Sequence, residues 1–209
     1  AAAPGATGGA DATIGAMRIL SVNTARVEQR LINGCKVATA IGKRPRPDAV
    51  AYGPMGLDGD EQADPTVHGG LSKAVYAYPS EHLPVWRTMR AQARASDWDH
   101  EIPPGLMGEN LTLEGLLETQ LWLGDRLCFD DGGVLVVSEP RRPCFKFNAA
   151  MGFAKASKMM VQSGWCGAYL AVLRPGTVQA GQGFRLEPGP REVGLVEAFR
   201  SKTNGKAFD

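Results

Sequence analysis

The chain has 209 residues, 23 basic and 22 acidic side chains and a formal net charge of +1, so it lacks the excess of positive charge that a broad nucleic-acid surface carries. With 44% hydrophobic and 22% charged residues it has the material for an ordinary globular core, and no apolar run approaches the roughly 18 residues needed to cross a bilayer. Its 26 Gly and 14 Pro make up about a fifth of the chain against roughly 12% in average usage, an excess that points to many turns and many short strands. Cys35, Cys128, Cys144 and Cys166 form no CxxC pair and no zinc-like spacing; they read as reduced thiols of a cytoplasmic protein.

Residues 1–16 are small, with almost no large apolar side chain and neither the basic start nor the apolar stretch of a signal peptide, and are expected to be a disordered arm or the remnant of a tag. The fold opens at Met17, where MRILSV reads as a strand. Cys35–Ile41 and Lys73–Tyr78 are further strands, rich in β-branched or aromatic residues and closed by turn formers. Ser80–Ala95 carries Leu83, Trp86, Met89 and Ala93 at helical spacing, with Ser80 as its cap and Pro84 near the start. Leu121–Phe129 holds a Gly-Asp turn between apolar stretches, and DDGG before Val134–Val137 reads as a tight hairpin. Phe147–Val161 is expected to be one helix with Phe147, Met151 and Ala154 on one side. Tyr169–Leu173 and Phe184–Leu186 are strands flanking a Pro/Gly-rich connection. The Pro-Gly-Pro at 188–190 ends the unit, and EVGLVEAF beyond it is a single short helix. The expected architecture is a mostly β, barrel-like domain over 17–190 with a few flanking helices, then a short tail over 191–209.

Several familiar motifs fail on inspection. Asp58, Asp60 and Asp64 suggest a calcium loop, but its sixth position is Ala63 instead of Gly and its twelfth is Gly69 instead of Glu. There is no phosphate-binding P-loop, and GQGFRL at 181–186 lacks the third glycine of a dinucleotide site. His68, His82 and His100 are too far apart and too unlike in context for a histidine metal centre.

Four clusters remain. Gly56–Pro79 packs glycines, carboxylates, His68 and Lys73 before a strand; the amides of His68-Gly69-Gly70 could meet an anion, with Lys73 adding charge. Gly105–Leu116 places Glu109 and Asn110 between a glycine turn and a strand, where a carboxylate most simply holds neighbouring amides. LGDRL at 123–127 is most simply a turn. The sharpest cluster is SEPRRPCFKFN, Ser138–Asn148. Its prolines keep the chain extended, and Arg141, Arg142 and Lys146 surround Cys144, a setting that favours thiolate, the form that binds metals or attacks electrophiles. Cys35, Cys128 and Cys166 lie in apolar or strand-like surroundings and read as core fillers.

Taken together, GLDGDEQAD, HGGLSKAVYAYP, GENLTLEGL, LGDRL, PRRPCFKF and GAYLAVLRPGTVQAG resemble, in order and spacing, the MOSC domain, named after the C-terminal domain of molybdenum cofactor sulfurases, and within it the bacterial YiiM-type branch. The resemblance covers about Met17–Pro190. It implies an antiparallel β-barrel with flanking helices, and binding of the molybdenum cofactor, a pterin dithiolene carrying molybdenum and a phosphate. The family also carries a general association with molybdenum ion and pyridoxal phosphate binding.

For Cys144 the resemblance implies a molybdenum ligand or the bearer of a transferred sulfur. Arg141, Arg142 and Lys73 would hold phosphate and pterin, with His68, Gly69, Gly70, Glu109 and Asn110 as further cofactor contacts. Gly69, Lys73, Glu109, Arg141, Arg142 and Cys144 are expected to converge on one cleft. The implied activity is reduction of N-hydroxylated bases and related small molecules, with an electron-donor protein as partner and neither membrane nor specific nucleic-acid binding. Two other readings use the same sequence: a non-catalytic carrier of sulfur or cofactor, and a β-barrel binding module without cofactor. YiiM-type proteins continue into a three-helix domain, which is expected to be absent or cut short here.

Overall fold

The structure is a computed structural model that describes residues 17–64 and 69–204; the expected arm at 1–16 and the site residue His68 lie outside the described residues. In chain order the strands are β1 (Arg18–Thr24), β2 (Glu28–Ile32), β3 (Cys35–Thr39), β4 (Arg44–Pro45), β5 (Val50–Gly53), β6 (Gly56–Leu57), β7 (Val75–Pro79), β8 (Leu111–Glu114), β9 (Arg126–Cys128), β10 (Val134–Pro140), β11 (Ala168–Arg174), β12 (Gly176–Val178) and β13 (Arg185–Glu187). The helices are α1 (Leu83–Gln92), α2 (Phe145–Met151), α3 (Ala156–Ser163) and α4 (Leu195–Thr203).

The protein is mostly β, as its turn density requires. An eight-stranded sheet runs β13-β9-β10-β11-β7-β8-β1-β4, beside a three-stranded sheet β12-β5-β6 and the hairpin β2-β3. Within the large sheet all neighbours are antiparallel except β7 and β8. A parallel pair needs a crossover, and α1 lies in the connection between these two strands. The sheet does not close as a continuous ladder, so the expected barrel is a loose description. The start of β1 meets the approach to β13 only through the Arg18–Gly183 bridge and main-chain bonds such as Gly181 N–H to Ile19 O at 2.7 Å.

Strand alternation splits the core in two and thereby positions the site. All five residues of β7 are buried, because successive side chains leave opposite faces of a sheet covered on both sides. Val75 and Ala77 join Ile19, Leu111, Leu135 and Leu170 in one cluster. Tyr76 and Tyr78 face the other way, into a cluster with Trp86, Phe147, Met151, Met160 and Phe199 beneath the helices. Tyr169 on β11 belongs to this second cluster as well, so the helical side of the central strands is aromatic and carries hydroxyls.

Several expected boundaries shift. Phe147–Val161 is two helices, because Gly152 takes a left-handed φ of 78° and ends α2, a conformation that costs glycine least. Ser80 makes no side-chain cap and instead opens a 3-10 turn over Ser80–His82 ahead of α1. Leu71–Lys73 forms another such turn, so its strand begins at Val75; the strand from Cys35 ends at Thr39. The DDGG hairpin forms as expected, with Gly133 N–H donating to Asp131 Oδ1 at 2.9 Å. LGDRL is a turn whose Asp125 is fully buried and accepts the Gly189 amide at 2.8 Å. The packed unit continues past the Pro-Gly-Pro at 188–190, since Leu195 and Phe199 of α4 are completely buried. Cys128 and Cys166 are buried fillers, but Cys35, expected to be one too, is exposed on the β2-β3 hairpin. That two-stranded sheet is not paired with the large one, and most of its residues from Glu28 to Lys36 are exposed.

Candidate functional site

A cleft opens on the aromatic side of the large sheet. Its walls are the end of β3 and the segment after it (Thr39, Ala40, Ile41, Lys43), the loop Asp60–Asp64, Lys73 to Tyr76 at the start of β7, Gly108 and Asn110 before β8, Arg141, Cys144 and Lys146 between β10 and α2, and Tyr169 on β11. Residues more than a hundred positions apart meet there because the parallel β7-β8 pair and the antiparallel β7-β11 pair bring their connecting loops to one edge.

Cys144 is half-buried in this cleft. It precedes α2 in extended backbone (φ −141°, ψ 176°), and its carbonyl accepts the Phe147 amide at 2.9 Å and the Ser157 hydroxyl at 3.1 Å. These bonds fix the main chain where Cys144 lines the cleft. Arg141, Arg142 and Pro143 run extended before it, and extended chains alternate sides. Arg141 is therefore buried, Arg142 exposed and Pro143 buried.

Arg141 is the most constrained cation of the site. Its Nη1 donates to Met107 O at 2.7 Å and to the Tyr76 hydroxyl at 3.4 Å. Its guanidinium lies 4.9 Å from the ring centroids of both Tyr76 and Phe147, a cation–π geometry. Among the described residues no carboxylate lies within ion-pair distance of it. Burial opposes its charge, but Tyr76, Tyr169 and Cys144 outweigh that and hold its pKa above the ordinary range. Burial in turn pushes the phenols of Tyr76 and Tyr169 up, so both stay neutral. The Tyr76 hydroxyl donates to Cys166 O at 2.9 Å.

The loop of the GLDGDEQAD motif forms the facing wall. Asp60 accepts the Ala25 amide and Asn110 Nδ2, each at 2.8 Å, and pairs with Lys43. Asn110 also accepts the Tyr76 amide at 3.0 Å and donates to Asn23 O at 3.2 Å, so its side chain clamps β1, β7 and the loop together. Lys146 donates to Ala38 O at 2.9 Å. Lys73 lines the cleft with Nζ 3.8 Å from Glu139 Oε1. Among the described residues, four cations and three carboxylates line the cleft.

Of the site residues expected from sequence, Lys73, Asn110, Arg141 and Cys144 share this cleft, whereas Gly69, Gly70, Glu109 and Arg142 are not in its lining. The Gly70 amide, expected to face an anion, donates to Gln62 Oε1 at 2.8 Å. Glu109 points inward: its Oε1 accepts the Gly105 amide at 2.7 Å and the Thr112 hydroxyl at 2.9 Å, the amide-holding role its turn context suggests. Lys43, Asp60, Tyr76 and Tyr169 are site residues that the sequence reading did not single out. Lys43 lies outside every quoted motif, but Asp60, Tyr76 and Tyr169 sit inside them, and strand alternation from Ala74 assigns Tyr76 to the face opposite Val75.

The MOSC domain family profile matches residues 64–185, the span that carries Lys73, Asn110, Arg141, Cys144 and Tyr169. The chain belongs to the MOSC domain family. It is similar to YflK of Bacillus subtilis, with 35% identity over 186 residues, covering 89% of this chain and 80% of that protein. It is also similar to a protein of Gibberella moniliformis named a reductase, at 31% identity over 82% of this chain but only 29% of that longer protein. Among solved structures it resembles YiiM from Geobacillus stearothermophilus, with a TM-score of 0.70 and 29% identity over 89% of this chain and 83% of the other. This MOSC chain is thus of the YiiM type.

Proposed function

We propose that this MOSC protein binds the molybdenum cofactor, with Cys144 as the thiolate ligand to the metal, and reduces N-hydroxylated bases and related small molecules. The observation that carries the reading is one cleft in which a half-buried thiol stands beside Arg141, a buried guanidinium with no carboxylate partner among the described residues. A cation held so firmly by carbonyl and ring contacts is pre-organised for an anion from outside. The donor set also fits. Among the described residues no group of three or more His, Cys, Asp and Glu could hold a metal ion, so this cleft offers one soft ligand, which suits a metal that brings its own sulfur chelate.

When bound, the cofactor supplies two-electron chemistry at the metal. The chain contributes the rest. Cys144 provides the thiolate, and Arg141, Lys73 and Lys146 offer positive charge to the anionic cofactor. Asn110 and Asp60 keep the facing wall rigid. Tyr76 and Tyr169, neutral and buried, exclude water from the floor and present no competing anion. The relative named a reductase, matched over 29% of its length, supports an oxidoreductase over a carrier. The reading includes an electron-donor protein as partner and a cytoplasmic location. Among the described residues no helix is long and apolar enough to cross a membrane.

The test is expression in a host that makes the cofactor, followed by metal analysis and steady-state assay with a chemical reductant and an N-hydroxylated base. The parent protein should hold molybdenum and turn over many times. Cys144→Ser should lose activity per bound molybdenum by at least about 100-fold while melting at the same temperature, because a hydroxyl is a poor ligand for a soft metal. Full activity in that variant would remove Cys144 from the chemistry. A single turnover by the parent would make it a carrier.

A further inference from the structure

His82 and Glu118 form a buried pair outside the lining of the cleft. His82 ends the 3-10 turn that follows β7, and Glu118 opens another such turn, Glu118–Gln120. His82 Nε2 lies 2.8 Å from Glu118 Oε2, and Glu118 Oε1 accepts the Gly167 amide at 2.9 Å. Burying a carboxylate is costly unless its oxygens are bonded, and here both are.

What the pair holds is segment 165–167, which leads into β11. The His82 ring stacks on Trp165 with centroids 4.5 Å apart and planes 12° from parallel. The Tyr78 hydroxyl donates to Trp165 O at 3.2 Å, and the Tyr76 hydroxyl to Cys166 O at 2.9 Å. Gly167 has a φ of +63°, and a Cβ there would stand 2.5 Å from Ala77 O and 2.8 Å from Tyr76 Cε2, so the segment lies directly against β7. The consequence for the cleft is one of direction. A phenol has one proton to give. With that proton on Cys166 O, the Tyr76 oxygen is left to accept from Arg141 Nη1, 3.4 Å away. A displaced segment 165–167 would release the phenol proton and with it the orientation that suits a guanidinium.

We propose that Glu118, braced by His82, is a positioning residue of the cleft: it fixes segment 165–167 so that the Cys166 carbonyl holds the Tyr76 hydroxyl as an acceptor for Arg141. Partners behind a binding group orient it and tune what it binds. Here they reach it in steps, from Glu118 to Gly167, from Cys166 to Tyr76 and from Tyr76 to Arg141. Glu118 thereby serves the anion-holding role proposed for Arg141, and its importance for cofactor retention rests on that reading.

The experiment follows the Arg141 Nε–H resonance by NMR in isotope-labelled, cofactor-free protein, assigned with Arg141→Lys. The Tyr76 and Phe147 rings, centred 4.9 Å from the guanidinium, make that resonance sensitive to small displacements. Glu118→Leu removes both acceptors; it should move the resonance and, in loaded protein, speed molybdenum loss by roughly tenfold. Glu118→Gln keeps a carbonyl for the Gly167 amide and an amide group for His82 Nε2, and should restore the parent position and rate. Leu135→Ala, in the other core cluster, should lower stability through its cavity and leave the resonance in place. If Glu118→Leu does not fold, His82→Phe should move the resonance instead, since it keeps a ring against Trp165 and removes one partner of Glu118. An unmoved resonance, an equal shift in Leu135→Ala, or no restoration by Glu118→Gln refutes the positioning role. The resonance needs no molybdenum. If it moves as expected while the parent holds no metal, the cofactor reading falls and the positioning role stands; if the parent is loaded and active but the resonance stays, the positioning role falls alone.

Discussion

Glu109 is completely buried, and its Oε2 has no hydrogen-bond partner. Burial pushes its pKa above the usual carboxylate range, opposed by bonds from the Gly105 amide and Thr112 and by the nearby charge of Arg141. The sign of the linkage follows. A carboxyl with a raised pKa in the folded protein keeps its proton where the unfolded chain has lost it, so its contribution to stability is greatest at low pH and falls as pH rises past the ordinary carboxylate range. Glu109→Gln keeps the shape and the carbonyl acceptor but cannot ionise. The difference in unfolding free energy between parent and variant, from urea titrations at several pH values, should therefore move in the variant's favour as pH increases from about 4. A difference independent of pH would mean that Glu109 does not titrate differently on folding. At this scale Arg141 and Arg142 teach the same lesson: they are adjacent and chemically identical, yet one is buried beneath the cleft and the other exposed, a choice made by the direction of the extended chain.

Among the elements, the turn before β8 connects the packing to the site. Gly105 has a φ of +88°, and a Cβ there would stand 2.4 Å from Lys43 O. Its amide is held by Glu109, while the Lys43 amide donates to Gly105 O at 3.3 Å. The turn and the Lys43 segment that walls the cleft are thus in direct contact. Gly105→Ala should destabilise the protein by about 2–4 kcal/mol, combining roughly 1–2 kcal/mol for a left-handed residue with the displacement of that carbonyl. It should also shift Lys43 and Asp60 enough to lower cofactor content. Chemical denaturation and metal analysis of the same preparation would check both; parent-like values would show that the segment yields at little cost.

For the whole molecule, α4 is part of the core. Leu195 N–H donates to Leu121 O at 2.9 Å and Leu123 N–H to Val193 O at 3.0 Å, so the chain beyond Pro190 is stitched to the segment before β9. Lys202 pairs with Glu139 at 2.7 Å, and Glu139 also faces Lys73 of the cleft. Phe199→Ala should cost about 3–5 kcal/mol through the cavity it leaves. Truncation after Pro190 should lower the melting temperature further, because it also strips the main-chain bonds and the cover of the aromatic cluster. A truncated protein as stable as the parent would make α4 a dispensable appendage.

The residue order by itself determined the β-rich class, most strands, the DDGG and LGDRL turns, and the Cys144 segment as the stretch where cations gather around one thiol. Those features are local: turn formers, side-chain periodicity and charge around one thiol are written within a few positions of one another. It also carried the MOSC resemblance, since several short motifs in order are specific where each alone is not. Tertiary structure decided which motif residues face the cleft. Glu109 and Arg142 sit in the right motifs yet do not line the cleft, while Lys43 joins it from outside every motif and Tyr169 through the pairing of β7 with β11. It decided that the large sheet stays open and that α4 joins the core, because both depend on surfaces built from distant segments.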